Sequence, residues 1–135
     1  MYYGALEAGG TKMVCAIGDA DKNIIDRISI PTGTPDQSVP AMIDYFKKYD
    51  ISALGIGTFG PADINPNSPT YGSIMRSPKK DWEGFSLYKA FTDALGCLVV
   101  VDTDVNAAAW GEYLYGALKG LNSGMYLTVG TGIGG

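Results

Sequence analysis

Histidine is absent from the sequence, and that absence removes whole classes of chemistry. Without it the chain can hold no Ser-His-Asp or Cys-His relay and no zinc site of the ordinary Cys/His kind, so acid–base work falls to carboxylates. Cysteine is scarce: Cys15 and Cys97 lie far apart in apolar segments, where core packing is expected and a disulfide is the alternative. No apolar run approaches the roughly 18 residues of a membrane span, and the start, MYYGALEAGGTK, lacks the basic and apolar regions of a secretory leader. A cytoplasmic protein with no membrane partner is expected. Basic residues are the minority, 10 Lys+Arg against 14 Asp+Glu, and no basic run is interleaved with aromatics, so nucleic acid is not an expected partner.

What is present suffices for one compact domain, since 46% of the 135 residues are apolar. Residues 2–6, 13–17 and 23–30 read as strands separated by short turn-rich breaks, which predicts an antiparallel meander. From Asp36 the period changes: Val39, Met42, Ile43 and Phe46 fall on one helical face up to about Tyr49, with Pro40 tolerable in a first turn. Residues 53–57 form a small-residue strand. A Pro/Asn/Ser-rich segment at 60–80 follows, of a length more often functional than idle in a compact domain. Residues 85–95 return to helical spacing with Gly96 placed to end the helix, and 98–101 is an apolar run expected of a strand covered on both faces. An Ala-rich helix at 106–118 and a last strand at 124–129 complete the order, which describes a mixed sheet with packed helices.

Three places carry chemistry. Glu7-Ala8-Gly9-Gly10-Thr11-Lys12 lies at the first hairpin, where paired glycines let backbone N–H groups close on a phosphate, Thr11 adds a donor and Lys12 a charge; an ordinary turn is the alternative. Gly130-Thr131-Gly132-Ile133-Gly134-Gly135 is a second turn of the same character. Between them, the apolar run delivers Asp102-Thr103-Asp104-Val105-Asn106 to a strand-to-helix junction, where one Asp could serve as a cap but two and an Asn exceed that need. Phosphoryl transfer calls for a carboxylate to take the proton of an attacking hydroxyl, donors around the phosphates and a divalent cation. Asp104 is the candidate base, Glu7 the candidate to orient a magnesium-bound water, and the two glycine turns hold phosphate oxygens.

These segments, with Gly60-Pro61-Ala62-Asp63 between them, occur in the order seen in ROK-family sugar kinases, which the chain resembles over nearly its whole length; residues 59–72 look most like the bacterial ROK fructokinases. The resemblance implies a ribonuclease H-like/actin-like ATPase fold, α/β, with a mixed five-stranded sheet and helices on both faces. It implies ATP and Mg²⁺ as cofactors and phosphorylation of a hexose at its 6-hydroxyl, with fructose the expected sugar. By the same resemblance Asp104 is catalytic; Gly60, Pro61, Thr103 and Asp104 bind the sugar; Gly9, Gly10, Thr11, Lys12, Gly130, Thr131, Gly132 and Gly134 face the nucleotide; and Glu7 meets magnesium through water. Glu7 stands where many members have Asp, and Thr103 where glucose-specific members commonly have Asn, which weakens the case for glucose.

Members run to about twice this length, in line with two domains of ordinary size, the second lobe carrying a His/Cys zinc loop. Residues 1–120 are therefore expected to be an N-terminal lobe and 121–135 the first strand and phosphate turn of a second, with a homodimer as the assembly and the fragment alone inactive. A sugar-responsive repressor of the same family is the alternative; it would carry a helix-turn-helix ahead of the hairpin, which here begins at Met1. Trp82, beside Lys79 and Lys80, either walls the sugar pocket or covers the core. Tyr113 and Tyr115 are packing or dimer-face residues.

Overall fold

The computed structural model describes residues 1–130 and 132–135. At its centre is a five-stranded sheet in the order β3-β2-β1-β4-β5. β1 (Tyr2–Ala8), β2 (Lys12–Asp19) and β3 (Ile24–Pro31) form the antiparallel meander, each reaching slightly beyond its apolar run. β4 (Ile51–Thr58) and β5 (Leu98–Thr103) add on in parallel. Parallel neighbours need crossovers, and these are supplied by α1 (Pro35–Phe46) before β4 and α2 (Leu87–Leu95) before β5. The three parallel strands consequently end side by side, Ala8 paired with Thr58 and Thr58 with Thr103.

Period-two alternation assigns the two faces of the sheet. Leu6, Cys15, Ile17, Leu54, Val99 and Val101 point to one side, where α1 brings Met42 and Phe46 and α2 brings Leu87 and Phe91 to close the main core. Phe46 and Phe91 meet edge to face with centroids 6.1 Å apart. Cys15 belongs to this core and both cysteines are free; burial pushes the Cys15 thiol up to about 12, which makes it inert at neutral pH. α1 begins one residue before the expected Asp36, with Gln37 Oε1 accepting the Thr34 N–H at 3.2 Å. Pro40 consequently lies inside the helix rather than in its first turn. α2 opens on Ser86, whose Oγ accepts the Lys89 N–H at 3.1 Å, and stops at Gly96 in the left-handed conformation, φ 65°.

Among the described residues, α3 (Asp104–Tyr115) is the helix that packs on the opposite face. This corrects the expectation of two-sided burial for residues 98–101: Leu98 and Val100 are 66% and 53% exposed. Hydrophobicity in a run records how much burial a strand is suited to, not which neighbours supply it. α3 shows the same surplus. None of its residues is buried, although apolar side chains including Trp110 and Leu114 lie around its circumference, the pattern of a helix made to be enclosed. The strand expected at 124–129 is reduced to β6 (Thr128–Val129), which pairs only with β7 (Ile133–Gly134) in a ladder separate from the main sheet. Residues 124–127 are exposed and have no ladder partner among the described residues.

The segment between β4 and α2 is folded on itself rather than loose. Bridges join Ala62 to Ile74 and Ser73 to Ser86, and a single 3₁₀ turn at Lys80–Trp82 ends it. Trp82 is 1% exposed and takes the core role of the two considered for it, its rings edge-on to Phe59 at 6.1 Å and Phe85 at 5.5 Å. Tyr71 caps the free edge of β5: its hydroxyl donates to the Val101 carbonyl at 3.0 Å and accepts the Val101 N–H at 2.8 Å. An edge strand is thereby denied two of its unpaired groups.

Candidate active site

The β1–β2 connection is a tight four-residue turn closed by the Gly9 N–H on the Lys12 carbonyl at 3.0 Å. A Cβ on Gly9 would stand 2.5 Å from that carbonyl oxygen, so only glycine fits. The turn is braced from outside by Thr32, whose hydroxyl donates to the Gly9 carbonyl at 2.8 Å and whose N–H donates to the Thr11 carbonyl at 3.0 Å. No motif in the sequence marks Thr32; the brace spans more than twenty residues and arises from the β2–β3 register, which ends by pairing Lys12 with Pro31.

Glu7, one residue before the end of β1, is exposed on the α3 side of the sheet. Register sets it level with Gly57 on β4, and Gly57 level with Asp102 on β5. With two strand spacings between them, the Glu7 and Asp102 backbones lie about 10 Å apart, with no side chain on the intervening strand. α3 settles into that gap: a Cβ on Gly57 would come within 3.0 Å of Ala107 Cβ and 3.5 Å of the Asp104 Cα. Glu7, Asp102 and Asp104 therefore line one open cleft of about 640 Å³.

Thr103, not either aspartate, caps α3; its Oγ1 accepts the Asn106 N–H at 3.2 Å. Asp102 Oδ1 receives the Thr103 N–H at 2.7 Å and Asn106 Nδ2 at 2.8 Å, while Asp104, the first residue of the helix, uses Oδ1 for the Val105 N–H at 2.9 Å. Asp104 Oδ2 has no hydrogen-bond partner among the described residues. A half-buried carboxylate at a helix N-terminus with one oxygen unclaimed is poised to accept a proton or a donor.

Gly60 and Pro61 lie just beyond β4, joined by a cis peptide bond, and the preceding Phe59 N–H donates to the Ala8 carbonyl at 2.8 Å. The chain end of β1 thus sets the start of this loop. Asp63 stabilises its far side, accepting Ser68 Oγ at 2.5 Å, Thr70 Oγ1 at 2.6 Å and the Asn65 N–H at 3.1 Å. Those donors, the Ser68 hydroxyl foremost, hold the Asp63 carboxyl below its ordinary value. A depressed carboxylate contributes stability that is complete above the unfolded pKa of about 3.9 and is lost as pH falls through the folded one. Carboxyl-carbon NMR should accordingly show Asp63 titrating below the ordinary Asp range, with the Asn65 amide shift following it; a midpoint at or above that range would refute the assignment.

One end of the sheet thus gathers Glu7, the turn Gly9–Gly10–Thr11–Lys12, Gly60, Pro61, Thr103 and Asp104. The second glycine turn is apart: Gly134 pairs with Thr128 in the β6–β7 ladder, the Gly130 N–H donates to the Gly132 carbonyl at 2.8 Å in the connection, and among the described residues neither strand pairs with the main sheet. Thr131 lies outside the described residues.

The donor set suits magnesium held through water. Among the described residues no three His, Cys, Asp or Glu side chains form a cage, whereas Mg²⁺ keeps several waters and asks for one or two carboxylates plus substrate phosphates. Glu7 and Asp102 facing each other across Gly57 offer that. Bound there, magnesium would spread the negative charge of a phosphoryl group.

The ROK family model matches residues 3–135. A fructokinase of Lactococcus lactis subsp. cremoris is 46% identical over 135 residues, which is 100% of this chain and 46% of that protein. A fructokinase of Pediococcus pentosaceus is 44% identical over 134 residues, 99% of this chain and 46% of its own length. Among solved structures, a ROK family glucokinase from Streptomyces griseus in complex with glucose and AMPPNP superposes with a TM-score of 0.82 at 30% identity, covering 99% of this chain and 43% of that one. The chain spans less than half the length of each of these relatives. No helix among the described residues is long and apolar enough to cross a membrane.

Proposed function

Since the chain belongs to the ROK family, we propose that it forms the front lobe of an ATP-dependent hexose kinase that phosphorylates the 6-hydroxyl of fructose. The observation that carries this reading is the convergence of a glycine turn and three carboxylates, Glu7, Asp102 and Asp104, on the C-terminal ends of β1, β4 and β5. Such strand ends are where open α/β sheets bind ligands. The choice of fructose follows from the fructokinases to which the chain is 44% and 46% identical.

In this reading the sugar lies against Gly60, Pro61 and Thr103, with its 6-hydroxyl at Asp104. The hydroxyl oxygen attacks the terminal phosphorus as the bond from that phosphorus to the ADP oxygen breaks, and the hydroxyl proton passes to the free Asp104 oxygen. Gly10, Thr11 and Lys12 hold phosphate oxygens on the turn that Gly9 closes through its own N–H, and Gly130, Thr131, Gly132 and Gly134 of the second turn join them as part of the second lobe. Glu7 would hold magnesium through water. Residues 1–120 form the lobe proper and 121–135 open a second one, which would carry any zinc; the assembly is a cytoplasmic homodimer.

The complete protein containing this lobe, assayed with ATP and Mg²⁺ against fructose, glucose, mannose and N-acetylmannosamine, should phosphorylate fructose fastest. Failure on all four sugars would sink the proposal. ATP turnover by the 135-residue chain alone would show that one lobe suffices, contrary to this reading.

A further inference from the structure

Lys79 enters the site from the long loop, with no motif to announce it. A methyl group built on Gly10 would lie 3.7 Å from Lys79 Cε, and the ammonium is the next atom along. The position is fixed by the loop's own anchors. Trp82 Nε1 donates to the Gly33 carbonyl at 2.9 Å, and the Trp82 N–H donates to the Lys79 carbonyl at 3.0 Å. The Lys79 N–H itself reaches Ser77 Oγ at 3.2 Å, with Ser77 3% exposed. Gly33 follows Thr32, the residue that braces Gly9 and Thr11. Turn, brace and lysine are therefore parts of one hydrogen-bonded unit assembled from three distant stretches of chain.

The ion pairs among the described residues join Lys80 to Glu83 and Lys89 to Asp93, and neither involves Lys79. An exposed lysine is ordinary, but one held against a glycine turn by a buried tryptophan, in no ion pair among the described residues, is placed to meet an anion that the turn's N–H groups also meet.

We propose that Lys79 is a phosphate-binding residue which grips the polyphosphate of the nucleotide as it lies on the Gly9–Gly10 turn. The inference rests on the phosphoryl-transfer reading above. A charge-assisted contact to phosphate is among the stronger hydrogen bonds, and its removal lowers affinity or rate roughly 10- to 100-fold.

The test uses the complete protein and two readouts. In steady-state kinetics Lys79→Ala should lower kcat/KM for ATP roughly 10- to 100-fold with KM for the sugar within about twofold, and Lys79→Arg should recover most of the loss. Lys80→Ala, one residue along the same turn, should stay within about twofold of the parent throughout. By calorimetry Lys79→Ala should weaken binding of inorganic tripolyphosphate by a similar factor. Unchanged kcat/KM for ATP in Lys79→Ala, equal losses in Lys80→Ala, a shift confined to the sugar KM, or undiminished tripolyphosphate binding would each overturn the proposal. Should no sugar be phosphorylated while tripolyphosphate binding still depends on Lys79, the kinase reading falls and the lysine assignment stands.

Discussion

Asparagine in place of Asp104 is expected to lower kcat of the complete protein in the proposed sugar phosphorylation about 10²- to 10⁴-fold, the usual worth of a positioned general base. The fold should survive intact. Asp104 neither caps α3 nor joins an ion pair among the described residues; the cap is Thr103, and Asn can still accept the Val105 N–H through its side-chain oxygen. Thermal unfolding should therefore move by no more than a surface substitution allows, within about 0.5 kcal/mol. Turnover within tenfold of the parent would remove Asp104 from the role of base. A large drop in melting temperature would instead make it a structural residue. Asp102→Asn is the informative companion, because Asp102 is tied to Asn106 and lines the same cleft without offering the same freedom.

Trp82→Ala should be among the most damaging single changes to stability. The indole is 1% exposed, meets Phe59 and Phe85 edge-on and donates to the Gly33 carbonyl. Truncating a buried aromatic of this size costs about 3–5 kcal/mol, a large fraction of the roughly 5–15 kcal/mol that holds a domain folded. Urea unfolding followed by circular dichroism should show the midpoint fall steeply or the protein unfolded at the outset. Trp82→Phe keeps most of the ring contact but leaves the Gly33 carbonyl without its donor, a smaller loss of about 1 kcal/mol. A change below about 1 kcal/mol in the alanine variant would mean that the loop is not part of the core.

The local grammar of the chain was largely legible. Alternation and turns marked the three-strand meander, helical spacing marked α1 and α2, and Gly96 marked the end of α2. What escaped depends on contacts distant in sequence. The long loop has no period because its order comes from Asp63 gathering Ser68, Thr70 and Asn65 and from bridges such as Ala62 to Ile74. Lys79 and Thr32 become site residues only when Trp82 and the β2–β3 register bring them to the glycine turn. At the β5–α3 junction the sequence marks Asp102–Asn106, yet which of them caps the helix is decided by geometry: Thr103 lies extended at φ −71°, ψ 156° with its hydroxyl over the Asn106 N–H.

The brace of Thr32 on the first hairpin bears on movement as well as on chemistry. Backbone carbonyls on both sides of the hairpin tip are held by one residue, and the next residue is clasped by a core indole. The tip is thus a stiff jaw, unable to curl around a guest by itself. In the proposed kinase, closure over the nucleotide is therefore expected from movement of the second lobe toward this hairpin rather than from bending of the hairpin itself.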